Sequence, residues 1–312
     1  MNKLVVLTGP TAVGKTSLSI NLAKAINGEI ISADCMQVYK RMDIGTAKIT
    51  PEDMDGVKHH LIDVIEPSED FHVVRFKEMV EEAMADIYSR GKIPIICGGT
   101  GFYIQAVLYD IQFNDDDVDQ EYRNFLDEYA NEHGNDKLHA KLEEVDPDSA
   151  SSIPAANRKR VIRALEYYHQ TGEMFSVHNK QERLRKSPYN FAYFVLNDDR
   201  KLLYNRIDKR VDVMMENGLL EEVKSLVNEG LTTSMTSMSG IGYKEIISYL
   251  NGDLSLEDSV ELIKKNSRNY AKRQLTWFRR EREVIWLDKT VLTNQDMILE
   301  VILSSLRERG II

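Results

Sequence analysis

KLVVLTGPTAVGKT, residues 3–16, is the stretch that decides the fold. Lys3 to Thr8 reads as a short buried strand. Gly9-Pro10-Thr11-Ala12-Val13-Gly14-Lys15-Thr16 then satisfies G-x-x-x-x-G-K-[ST]. Behind it Leu18, Leu22, Ala25 and Ile26 share one helical face, and Gly28 fits the stop. Strand, glycine loop and helix in that order form a phosphate site. The glycines let backbone amides wrap a phosphate chain, and the helix N-terminus adds its partial positive charge. Lys15 reaches the terminal phosphates, and the Thr16 hydroxyl can ligate Mg²⁺.

Outward from this loop the same alternation repeats. Residues 29–33 read as a second strand and 73–90 as a helix closed by Gly91. Residues 93–97 form a third strand that ends at Gly98-Gly99. Strands separated by helices imply right-handed crossovers and a parallel sheet. After about residue 112 the chain turns charged and helical, with amphipathic patterns at 121–143 and 157–171. Strand runs return at 191–196 and 284–287, with helices between them at 199–229, 243–250 and 256–282. The expected architecture is α/β: a P-loop NTPase-like parallel sheet flanked by helices, interrupted by a helical insertion. Residues 1–112 and 191–312 would form the core, and 113–190 the insertion.

Composition narrows the class. At about 150 residues per domain, 312 residues allow roughly two domains. With 42% hydrophobic and 29% charged residues, a wholly disordered chain is excluded. The longest apolar runs fall far short of the roughly 20 residues of a spanning helix, and no signal peptide precedes the glycine loop. Two cysteines, Cys35 and Cys97, without a CxxC pair, provide neither a disulfide framework nor a zinc site, which points to a reducing, cytoplasmic setting. The net charge of −10 argues against a general polyanion binder, but the charge is unevenly distributed. Acid gathers at 115–121, whereas Ile263 to Arg282 carries eight Lys or Arg against one acid, Glu281. A local basic patch works on an acidic protein because charges beyond a Debye length of ~8 Å are screened.

Two further loops follow strands. Ser32-Ala33-Asp34-Cys35-Met36-Gln37 places an acid at a carboxyl end, where it serves as metal ligand, general base or simple turn residue. Gly98-Gly99-Thr100-Gly101 permits close approach of a ligand or backbone and offers one hydroxyl. In an open parallel sheet all three loops converge at the ligand-binding rim. Asp34 and Thr100 should therefore lie near whatever Lys15 and Thr16 hold. An ATPase needs another strand-end acid for its metal. Cys97-Gly98 supplies none, and Asp63 is the weaker candidate.

These motifs, in this order, resemble those of the tRNA isopentenyltransferase (tRNA dimethylallyltransferase) family nearly end to end. The resemblance rests on GPTAVGKT at 9–16, SADCMQVYKRMDIGTAK at 32–48, GVKHHLID at 56–63 and GGTGFYIQA at 98–106. ANRKRVIRALE at 156–166, GIGYKE at 240–245 and YAKRQLTWFRR at 270–280 complete it. Cys35, Arg41 and Lys58 depart from the family's Ser, Gly and Pro, and a thiol donates more weakly than a hydroxyl. No zinc-finger extension of the eukaryotic kind is present, so a bacterial-type enzyme is implied.

The resemblance implies transfer of a dimethylallyl group from dimethylallyl diphosphate to the exocyclic amine of the adenosine 3′-adjacent to the tRNA anticodon. Asp34, Thr100 and Lys15 would be catalytic. Gly9, Thr11, Ala12, Val13, Gly14, Lys15, Thr16, Arg206 and Arg210 would hold the diphosphate with Mg²⁺, the metal on Thr16. Asp34, Cys35, Met36, Gln37 and Thr100 would meet the target base, Gln37 reading its edge and Tyr39 stacking. Arg123, Lys159, Arg160, Val161, Ile162, Arg163, Lys272 and Arg273 would grip the anticodon stem-loop, Arg158 adding charge, and the insertion would close on it as a clamp. His59 and His60 read as packing residues. No membrane and no obligate protein partner is implied. A small-molecule kinase shares the loop and sheet but leaves the late basic helix unexplained. An RNA-binding protein switched by a nucleotide leaves Asp34 unexplained.

Overall fold

The computed structural model describes residues 1–113 and 119–312. Asp115, Asp116 and Asp117 of the acidic run lie outside the described residues. The chain divides into two compact units, residues 1–108 with 188–312 and residues 109–187.

The first unit is built on β1 (Asn2–Thr8), β2 (Gly28–Ala33), β3 (His59–His60), β4 (Ile93–Gly98), β5 (Tyr189–Asn197) and β6 (Val284–Asp288). They form one sheet in the order β3-β2-β4-β1-β5-β6, with every neighbouring pair parallel. This is the parallel α/β sheet expected. β3 was not anticipated, because two residues carry no periodicity. β2 is buried throughout and β1 from Leu4 onward, as a parallel sheet covered on both faces requires.

The chain builds outward from β1 in one direction through β2 and β3, and in the other through β5 and β6. β1 is thus the switch point outside which such sheets bind ligands. Register sets the level of the rim. Thr8 lies opposite Gly98, and Gly98 opposite Ala33, so three neighbouring strands end in one row. The loops starting at Gly9, Asp34 and Gly99 leave from that row. α1 (Lys15–Ala25), α2 (Val73–Ser89) and α3 (Gly101–Leu108) flank these strands.

The second unit is helical: α4 (Gln120–His133), α5 (Asn135–Val145), α6 (Pro147–Ser152), α7 (Arg158–Thr171) and α8 (Phe175–Leu184). The single helix expected at 121–143 is two, because Gly134 takes φ +87° and turns the chain between them. Leu126, Leu138, Leu142, Ile153, Val161 and Leu165 form its core.

Back in the first unit, the helix expected at 199–229 is α9 (Arg200–Glu216) and α10 (Leu219–Asn228), divided at Gly218. α11 (Tyr243–Leu250) follows, then α12 (Leu256–Phe278), four residues shorter than its cationic pattern suggested. α13 (Gln295–Glu308) was not anticipated. Its Ile298, Ile302 and Leu306 join the core with Leu18 and Leu22 of α1. No helix among the described residues is long and apolar enough to cross a membrane.

Candidate active site

The phosphate loop reaches α1 through Gly14, whose φ of +97° suits a residue without Cβ. No side chain caps α1, and its first turn holds no acid, so its leading amides remain open to an anion. Lys15 curls back over the loop, its Nζ donating to the Gly9 and Pro10 carbonyls, each at 2.9 Å. Burial pulls its pKa down to about 8, against the opposing pull of Cys97 and Asp34. Thr16 is exposed, and its hydroxyl has no partner among the described residues. Val13 points into the core, and Ala12 holds a left-handed φ of +62°.

Asp34 sits on the same rim. Its Oδ1 accepts the Met36 amide at 2.9 Å. Burial raises its proton affinity above that of an ordinary carboxyl, opposed by the Met36 amide and the Lys15 charge. The Thr100 hydroxyl accepts the Cys35 amide at 3.3 Å, tying the second loop to the third. Tyr270 of α12 lies close to Thr100, and burial holds its phenol well above its usual range. Burial also pushes the Cys35 thiol up to about 12, so it stays protonated and is no nucleophile.

Several assigned residues stand differently from expectation. Arg206 does not reach over the loop: its guanidinium pairs with the buried Asp198. Arg210, one turn on, lies within electrostatic reach of Asp34 and Lys15; partial burial lowers its pKa against the pull of Asp34. The Thr11 amide does not face the phosphate cradle but donates to Gln274 at 2.9 Å. Gln37 spends its amide on the Thr46 and Ala47 carbonyls at 3.2 and 3.3 Å, so its edge is engaged within the protein. Tyr39 is wholly buried against Phe71 and offers no ring for stacking. Met36 lies half-buried against Gly240. Asp63 pairs with the buried Lys48 at 2.5 Å instead of facing the loop.

The basic stretches sort by pairing. On α12, Lys264 pairs with Asp212 and Glu261, and Arg268 with Asp208. Lys272, Arg273 and Arg280 make no ion pair among the described residues and line an exposed groove with Trp277. In the insertion, Arg123 is held by Glu166 and Arg158 by Asp127 and Asn131. Lys159 and Arg160 are exposed, and Arg163 is half-exposed, 4.0 Å from Glu166. Val161 is buried in the core, and Ile162 floors a groove beside Arg123 and Lys159. Helical spacing forces this, since 161, 162 and 165 share the inward face. Neither side chain is presented to solvent.

Two residues escaped the sequence reading. Gln274 of α12 bridges the first and third loops, and its spacing from Tyr270 and Trp277 on one helical face was a signal available in advance. Lys289, just beyond β6, donates to the Val13 carbonyl at 3.0 Å and lies 3.8 Å from Asp198. Nothing local in the sequence marks it, because the contact spans the whole chain.

At the opposite end of the sheet, Glu29, His60 and Asp86 bring ligand atoms within 4.8 Å of one another. Arg90, Lys92 and His60 already donate to Glu29, and Arg90 and Lys58 to Asp86. With its carboxylates so committed, this cluster needs no cation. His59 Nδ1 donates to the Val57 carbonyl at 2.9 Å, a packing role.

The chain matches the family model described as IPP transferase over residues 37–281, and that described as isopentenyl transferase over residues 2–70. It is 57% identical to tRNA dimethylallyltransferase of Lachnoclostridium phytofermentans over 312 residues, covering all of both chains. Among solved structures it is similar to the full-length tRNA isopentenylpyrophosphate transferase from Bacillus halodurans. That match has 44% identity, covers 99% of this chain and 98% of the other, and gives a TM-score of 0.74. It is also similar to a eukaryotic dimethylallyltransferase acting on tRNA, at 30% identity over 100% and 80% of the two chains, with a TM-score of 0.83.

Proposed function

Because this chain belongs to the IPP transferase family, we propose that a dimethylallyl group passes from dimethylallyl diphosphate to a tRNA adenosine at the cluster of Lys15, Asp34 and Thr100. Prenyl transfer to a tRNA adenosine is the family's chemistry and the activity of this chain. The acceptor is the adenosine 3′-adjacent to the anticodon.

One observation carries it: a cation and a proton acceptor share one rim, neither in an ion pair among the described residues, Lys15 depressed by burial and Asp34 raised by it. The diphosphate rests on the open amides of α1, with Lys15 and Arg210 facing its charge. The allylic carbon–oxygen bond breaks, and the electron pair leaves with the diphosphate. Stabilising that departing charge is the main electrostatic task. The adenine amine donates its lone pair to the allylic carbon, a carbon–nitrogen bond forms, and its proton moves to Asp34. A positioned general base contributes about 10²–10⁴ in rate. Thr100 orients the acceptor from its bond to the Cys35 amide.

The Thr16 hydroxyl, without a partner among the described residues, is a hard oxygen donor that fits Mg²⁺. Bound there, Mg²⁺ would offset diphosphate charge. An unpaired anticodon loop lets the target base splay out at low cost. The cations of α12, with Lys159, Arg160 and Arg163 of the insertion, supply phosphate contacts, and the reaction belongs in the cytoplasm.

The test is label transfer from radiolabelled dimethylallyl diphosphate to unmodified tRNA with Mg²⁺, beside an ATP-hydrolysis control. Label should enter the RNA without ATP and stop with Lys15→Ala. ATP turnover without labelled RNA would overturn the reading in favour of a kinase.

A further inference from the structure

On the prenyl-transfer reading, the phosphate loop takes the leaving group and the Thr100 loop the acceptor. The bridge between them comes from α12. Gln274 Oε1 accepts the Thr11 amide at 2.9 Å, and its Nε2 donates to the Gly99 carbonyl at 3.0 Å. Gln274 is 5% exposed; its bond to Gly99 is buried and its bond to Thr11 partly so. A Cβ on Gly99 would stand 2.1 Å from Nε2, so the glycine is what admits the amide.

We propose that Gln274 is a positioning residue for prenyl transfer, its side-chain amide setting the distance between the leaving-group loop and the acceptor loop. The inference rests on the prenyl-transfer reading above. The chemistry of the fork is specific. One neutral group must accept on one prong and donate on the other. Glutamate has no donor for Gly99, and an aliphatic side chain satisfies neither backbone group, each of which is costly to leave buried and unpaired.

The neighbours on the same helix hold the fork in place. Tyr270, one turn before, lies close to Thr100, and Trp277, nearly one turn after, packs on Gly101 at the start of α3. Tyr270, Gln274 and Trp277 thus meet the third loop at successive points. The helix's exposed cations Lys272, Arg273 and Arg280 line an exposed groove that Trp277 also borders. One rigid element carries both the spacing of the loops and a basic surface. A misplacement of about 1 Å between reacting groups costs about 10² in rate, so a spacer needs no contact with substrate to matter.

Gln274→Glu and Gln274→Met test it, each measured beside the native chain with dimethylallyl diphosphate and unmodified tRNA. In both variants kcat should fall about 10²-fold, while the dissociation constants of inorganic pyrophosphate and tRNA stay within about threefold. A merely structural glutamine would lower the melting temperature and leave kcat of the folded fraction unchanged. Gly99→Ala attacks the same fork from the other side, and combined with Gln274→Met it should cost no more than the worse single change. kcat within about threefold of native in Gln274→Glu, or additive losses in the double variant, would overturn the inference. Failure of the native chain to prenylate tRNA would instead remove the reading beneath it.

Discussion

The two ends of the sheet both bury ionisable groups, and they treat them in opposite ways. At the amino end of β2, Glu29 is 2% exposed and surrounded by Arg90, Lys92 and His60, at 2.7, 2.9 and 2.8 Å. The Arg90 hydrogen bonds hold its carboxyl far below the usual range, burial opposing them. At the carboxyl end, Lys15 has only carbonyls for partners among the described residues and loses proton affinity, while Asp34 gains it. A saturated cluster has no capacity left for a ligand and contributes stability. An unsaturated one keeps its charge available for chemistry, at a cost in folding energy that only a bound substrate relieves. Burial alone does not mark a site; burial without partners does.

The sharpest way to break this contrast is to neutralise one acid at each end. Asp34→Asn should lower kcat by about 10²–10⁴ while inorganic pyrophosphate still binds, read by single-turnover transfer beside a binding titration. If pyrophosphate binding is lost instead, Asp34 acts through the metal and not as the base. Glu29→Gln should leave kcat per folded molecule unchanged and cost about 3 kcal/mol of stability, near the low end for breaking a buried pair, because Arg90 and Lys92 are about a third exposed and rehydrate. Its sign with pH follows from the depressed carboxyl. The contribution is fully present above the unfolded value of 4.5 and fades as pH falls below it, so native and Glu29→Gln melting temperatures should converge in acid. An effect of Glu29→Gln on kcat would show that the two ends are coupled.

Patterns confined to one segment were legible before any coordinates. The strand–loop–helix of 3–16 and the switch to a helical insertion declared themselves through periodicity and glycine spacing. Convergence of Asp34, Thr100 and Lys15 was inferable because parallel strands must end on one rim. What escaped was decided by contacts across the chain. Arg206 and Arg210 look alike in sequence, one turn apart, yet Asp198 claims the first and leaves the second facing Asp34. Gln37 looked like a base reader, but the carbonyls of Thr46 and Ala47 use its amide. Val161 and Ile162 sat in a cationic run and were inward-facing by helical phase alone. Gln274 shares a helical face with Tyr270 and Trp277, but the two backbone groups that it bridges lie 263 and 175 residues away in the chain.

A smaller effect sharpens the contrast through pH. Lys15 must be charged to face the diphosphate, and its pKa is lowered to about 8 before substrate arrives. The free enzyme should therefore bind diphosphate with constant affinity below about pH 8 and lose up to about tenfold per unit above it. kcat/KM for dimethylallyl diphosphate should show that limb, and Lys15→Arg, whose guanidinium keeps its proton, should lack it whatever its absolute rate. A native profile flat to pH 9.5 would mean that the burial of Lys15 is fully compensated.

The smallest expected effect separates the two arginines. Arg210→Ala removes a cation that has no ion pair among the described residues, so KM for dimethylallyl diphosphate should rise by about tenfold, in the range of a charge-assisted contact. Arg206→Ala removes one partner of Asp198 and leaves Lys289 3.8 Å away, so the acid stays partly compensated. Its KM should change less than about threefold, with the loss appearing in melting temperature. The two substitutions delete the same chemistry from the same helix. Only the presence of a carboxylate partner distinguishes them, as it distinguishes the two ends of the sheet. Equal effects on KM would mean that Arg206 leaves Asp198 for the diphosphate during binding, and that partner count in the free enzyme does not decide which charges are held for chemistry.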